Sequence, residues 1–217
     1  MKDAIYLSYP LSSQTPLYGG ANDIQIQSNT SISAGDTANS LTLSLPNHAG
    51  THVDVPYHFF NDGKKLTDYP ASFWIFNHPV CIDVPGKDGY LVSYKDVAGK
   101  INNETDLLLI RTGYETFRNE RKYWQKNPGL SAGLAKKLRS NHSNIRALGV
   151  DVISITSRLH REEGRKAHHA FLNPDKGEPI LLIEDMKLDI KYPPNKVIVV
   201  PLLIDNADGS PCTVLAI

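Results

Sequence analysis

Runs of apolar, largely β-branched residues bounded by turn residues recur at 107–110, 148–155, 180–183, 197–204 and 213–217. Runs of this length predict strands, and their near-continuous apolar character predicts a sheet covered on both faces. After Ser131, a residue suited to cap a helix, Leu134, Ala135 and Leu138 recur at helical spacing, with Lys136, Lys137 and Arg139 among the polar positions. That helix leads into the strand at 148. With a second helical candidate at 114–123 following the strand at 107, the pattern predicts a βαβ crossover. The first sixty residues differ: Ser, Thr, Asn and Gly are dense, and apolar residues alternate at 24–26 and 41–45, predicting half-exposed antiparallel strands. The class expected is α/β, with a mixed sheet, in a single domain spanning 1–217.

Composition narrows the functional classes. Lys and Arg number 23 and Asp and Glu number 23, so the formal charge is zero and there is no basic stripe for nucleic acid. A hydrophobic content of 41% predicts a packed core. The apolar runs are far shorter than the roughly 18 residues that span a bilayer, and residues 1–10 lack the apolar stretch of a signal peptide, so no membrane partner and a cytoplasmic location are expected. Cys81 and Cys212 are the two cysteines and are expected to be reduced.

The chemistry concentrates in one stretch. Eight histidines in 217 residues place about 0.4 in a random window of eleven, yet His48, His52 and His58 share one such window with Asp54. Imidazole and carboxylate are the ligands that zinc and neighbouring metals prefer, at about 2.0–2.2 Å. Gly50 and Pro56 argue against a helix here. In a strand His52 and Asp54 share a face, but a fully extended chain would hold His48 about 13 Å from His52. The chain is therefore expected to curl at Ala49-Gly50, where glycine permits unusual backbone angles, so that His48 returns. His58, beyond Pro56, suits a role facing substrate. A second cluster comprises His168, His169 and Glu184; if strand ends bring it to the first, carboxylates such as Asp54 and Glu184 would bridge two ions about 3.5–4 Å apart. Spacing leaves open which histidine of the pair points inward. His78, His142 and His160 are read as ordinary surface or hydrogen-bonded residues, and Arg111 as a solvated arginine with anion steering as the alternative. Asp151, inside an apolar run, needs a buried partner and is a candidate support for the site.

The string His48-Ala49-Gly50-Thr51-His52-Val53-Asp54-Val55-Pro56-Tyr57-His58-Phe59 resembles the signature of the metal-dependent cyclase family, which includes bacterial kynurenine formamidases and isatin hydrolases. The resemblance extends over nearly the whole chain, through Leu7-Ser8-Tyr9-Pro10-Leu11, Arg111-Thr112-Gly113-Tyr114, Gly149-Val150-Asp151, His168-His169-Ala170-Phe171-Leu172 and Asp208-Gly209-Ser210-Pro211. It implies a swivelling β/β/α fold, barrel-like with flanking helices, a homodimer or higher homo-oligomer, and one or two divalent ions per subunit, Zn2+ or Mn2+. By the family pattern His48, His52 and Asp54 hold one ion, His168 and Glu184 complete a second site that Asp54 also reaches, and His58 is the general acid/base. Tyr18 stands where the formamidases present a Trp to substrate, and 173–179 is longer than the usual connection. The activity implied is hydrolysis of a small cyclic amide or N-formyl arylamide by activated water. A lactone or cyclic ester hydrolase, and a non-catalytic metal- or ligand-binding protein, are the alternatives.

Overall fold

A computed structural model describes residues 4–217. Its strands are β1 (Ile5–Tyr6), β2 (Gln25–Thr30), β3 (Ser40–Ser44), β4 (His52–Asp54), β5 (Ile75–Phe76), β6 (Pro79–Asp83), β7 (Leu91–Val92), β8 (Leu107–Arg111), β9 (Gly129–Leu130), β10 (Ala147–Val150), β11 (Leu181–Glu184), β12 (Val197–Pro201) and β13 (Gly209–Ala216). The helices are α1 (Tyr94–Val97), α2 (Arg121–Gln125), α3 (Ala132–Asn141) and α4 (Arg161–Leu172), with short 3-10 turns between elements.

The apolar runs form the centre of the fold. Strands β6, β8, β10 and β11 run parallel, and β10 and β11 are buried at every position, as strands covered on both faces must be. Beyond β11 the sheet continues antiparallel through β4, β13, β12 and β5, with β1 beside β13. Edge strands β5 and β6 are separated in the chain only by Asn77 and His78, whose N–H groups both donate to the Asp106 carboxylate at 2.8 and 2.9 Å. The two ends of the sheet therefore return to one another, and the mixed sheet is a nearly closed barrel. Helix α3, capped by Ser131 Oγ accepting from Leu134 N, makes the crossover from β8 to the parallel β10. It packs beside α4 on the outside of the sheet. Among the described residues no helix is long and apolar enough to cross a membrane.

Three differences from expectation matter for function. The strand expected over 148–155 ends at Val150, where buried Asp151 accepts from Thr112 N, Thr112 Oγ1 and Gly113 N. These bonds tie the ends of β8 and β10 together and turn 152–157 inward; Asp151 itself stays outside the candidate site. The helix expected over 114–123 is a 3-10 turn at Tyr114–Phe117 and then α2, with extended Glu120 between them. Arg118, still helical in backbone at the end of the 3-10 turn, reaches Asp185 from there. Arg111 does not face solvent freely: it pairs with Asp83 and donates to the Leu188 and Ile190 carbonyls.

Asp185, with φ of 51°, sends its buried carboxylate away from the neighbouring Glu184 toward Arg118 at 2.9 and 2.6 Å and Tyr123 Oη at 2.6 Å. Arg118→Ala would leave that carboxylate without its cation. It is expected to destabilise the fold by about 3–5 kcal/mol, read as a shift in the chemical-denaturation midpoint. A loss below about 1 kcal/mol, the value of a solvated pair, would contradict this.

Candidate metal centre and active site

The site grows from β4. Two residues apart on one strand, His52 and Asp54 point to the same face. Pairing with β11 sets Glu184 directly across from His52, and pairing with β13 sets Gly209 across from Asp54. Gly50 has a φ of +64°, the expected bend, and it returns His48 so that Nδ1 lies 2.8 Å from Asp54 Oδ1. Gly209 leaves room for that ring: a Cβ there would lie 2.7 Å from His48 Cε1. His58 ends the 3-10 turn Pro56–His58, and α4 delivers His168 from the other side.

The nitrogens are oriented before any ligand arrives. His52 Nδ1 donates to the Gly50 carbonyl at 2.8 Å, and His168 Nδ1 donates to the Gly164 carbonyl at 3.0 Å. In each neutral ring the lone pair then sits on Nε2. His52 Nε2 faces Asp54 Oδ1 and Glu184 Oε2, both at 3.4 Å. His168 Nε2 faces Glu184 Oε1 at 3.4 Å and Asp54 Oδ2 at 3.6 Å. Buried acceptors thus converge on buried acceptors, a repulsion that either a bound cation or protons on the rings would relieve. Glu184 is itself anchored, accepting from Ile155 N at 2.7 Å and Ser154 Oγ at 3.1 Å.

Electrostatics follows from this packing. Burial pushes His48 and His168 down, but Asp208 and Asp54 raise His48 to about 9, and Asp54 and Glu184 raise His168 to about 10. Burial opposes ionisation of Asp54, yet its three imidazole neighbours hold it well below the usual carboxylate range. The cluster binds positive charge strongly, and protons and a divalent cation compete for the same atoms. The ligand atoms of His52, Asp54 and Glu184 lie within 4.8 Å of one another, as do those of His48, Asp54 and His58. Two imidazole-carboxylate trios sharing Asp54 fit divalent metal.

All the residues expected at the site meet here, although Glu184 groups with His52 while His48 groups with His58. His168 is buried in a helix rather than on an extended segment, and His169 is exposed. Tyr18 lines the cavity, about 320 Å3, together with the histidines; its Oη is buried without a hydrogen-bond partner. The 173–179 loop does not line that cavity; Arg139 pins it to α3 through the Asn173 and Gly177 carbonyls. Two features escaped the sequence reading. Asp208 accepts from His58 Nδ1 at 2.6 Å and His48 Nε2 at 3.1 Å, and its only signal was its place in Asp208-Gly209-Ser210-Pro211. Arg161 and Arg165, also lining the cavity, gave no signal without the helix.

Fold and centre together define a mixed α/β barrel with a buried histidine-carboxylate centre built for a cation. The putative cyclase model matches residues 5–157, and the chain belongs to that family. It is 28% identical over 208 residues to the kynurenine formamidase of Bacillus cytotoxicus, covering 95% of this chain and 93% of that protein. In structure it is similar to isatin hydrolase A from Labrenzia aggregata bound to benzyl benzoate, with a TM-score of 0.81, 20% identity and 99% and 93% of the two chains covered. A potential metal-dependent hydrolase with cyclase activity shares the fold at a TM-score of 0.76 and 20% identity, covering 99% of this chain and 96% of that one.

Proposed function

We propose that residues 1–217 form one metal-dependent hydrolase domain, arylformamidase-like, that cleaves a C–N bond in a small cyclic amide or N-formyl arylamide. The observation carrying this reading is the buried convergence of His52 and His168 Nε2 atoms on Asp54 and Glu184. The names of the similar formamidase and isatin hydrolase favour amide bonds.

His48, His52, Asp54, His168 and Glu184 would hold a divalent cation, Zn2+ or Mn2+, one or two per subunit, which would supply water activated near neutral pH and Lewis-acid support for the scissile carbonyl. His58 holds and moves the proton: Asp208 takes its Nδ1–H, which leaves Nε2 to serve the departing nitrogen. Tyr18 and Phe59 frame the substrate ring.

Free Cys81 and Cys212 suit a cytoplasmic setting. A homodimer or higher homo-oligomer is supported by the β2–β3 hairpin, where Ile26 pairs with Leu43 and shares an exposed face with Leu41.

Protein purified without chelator is expected to carry zinc or manganese and to hydrolyse N-formylanilines or isatin-like lactams in a panel that also holds lactones. Turnover of lactones alone would select the ester reading. Bound metal with no turnover of any amide or ester would select a binding protein.

A further inference from the structure

Positive charge at the cavity mouth is left unused by the chemistry above. Arg161 and Arg165 are four residues apart on α4 and both line the cavity, on the helical face that also carries His168. Arg158 lies over the Tyr18 ring at 5.8 Å from its centroid. The neighbouring acids are engaged elsewhere. Glu162 pairs with Lys166 at 2.8 Å, and Glu163 accepts from Ala132 N at 2.8 Å. Asp54, Glu184 and Asp208 are turned toward imidazoles. Among the described residues Arg161 and Arg165 have neither a salt bridge nor a side-chain hydrogen bond. Two like charges one helical turn apart repel, so the fold itself gains nothing from this placement. A planar guanidinium is suited to bind a carboxylate through two parallel hydrogen bonds.

We infer that the substrate is an anion, an aryl amide bearing a carboxylate that Arg161 and Arg165 clamp while Tyr18 packs on the ring. The bond cleaved rests on the hydrolase reading; recognition of the anion does not. For 2-formamidobenzoate, water adds its oxygen to the formyl carbon, the C–N bond breaks, the nitrogen takes a proton, and formate and 2-aminobenzoate leave.

The test compares 2-formamidobenzoate with formanilide, which lacks the carboxylate. Wild-type kcat/KM is expected to favour the carboxylate substrate, and R161Q/R165Q is expected to lower the ratio of the two kcat/KM values tenfold or more. An unchanged ratio, or a wild-type preference for formanilide, overturns the inference. Fluorescence titration with 2-aminobenzoate gives a reading that needs no turnover. The double variant is expected to bind it at least fivefold more weakly than wild type, and equal or absent binding in both overturns the anion site. If wild type hydrolyses neither compound, the N-formyl arylamide reading falls and the titration alone decides the arginine clamp.

Discussion

Asp54→Ala is expected to yield a folded protein without metal. Asp54 is the carboxylate that contacts three imidazoles: His48 at 2.8 Å and His52 at 3.4 Å through Oδ1, and His168 at 3.6 Å through Oδ2. Its removal breaks both converging trios at once, because Asp54 belongs to each. Glu184 then remains as the sole carboxylate near His52 and His168, and the negative charge that holds a divalent cation is halved. Folding survives because the imidazoles can stand neutral and a polar cavity of this size admits water. Elemental analysis of wild type and variant, purified in parallel without chelator, checks this, with circular dichroism as the folding control. Metal is expected to fall below about a tenth of the wild-type content, on the basis that a centre stripped of a shared ligand loses most of its affinity. Full occupancy in Asp54→Ala would remove Asp54 from the ligand set.

His58→Ala is expected to separate chemistry from metal binding: metal content stays near wild type while kcat falls by about 10²–10⁴-fold, the usual contribution of a positioned proton donor. The basis is the 2.6 Å bond from His58 Nδ1 to Asp208. Hydrogen bonds from His48 and His58 hold Asp208 well below the usual carboxylate range, so it remains an ionised acceptor and keeps the proton on Nδ1. A fall concentrated in kcat, with KM little changed, marks a group acting in the transition state. Loss of metal together with activity would instead make His58 a ligand, since its ring nitrogen also lies within reach of His48 and Asp54.

Much of the fold is encoded locally. The buried parallel strands were legible because a strand covered on both faces has no polar positions to confuse the pattern, and α3 because Ser131 caps it and its apolar positions repeat. Helix α4 was missed for the converse reason. Its buried positions, 164, 167, 168, 171 and 172, have regular helical spacing, but Gly164 and His168 do not read as apolar. Likewise the 148–155 run gave no hint that Asp151 would end β10 by taking up the amides of Thr112 and Gly113.

By itself the chain's order of residues determined the seed of the centre. A two-residue strand period carries His52 and Asp54 to one face, and a glycine two residues earlier turns His48 back, whatever the rest of the molecule does. Tertiary structure alone decided the remainder. Glu184 meets His52 through the β4–β11 register, Asp208 meets His58 from 150 positions away through the β4–β13 pairing, and His168 is chosen over His169 by the side on which α4 packs. Such choices depend on strand register and helix rotation, which are settled by the burial of whole surfaces and leave no mark at the residues they select.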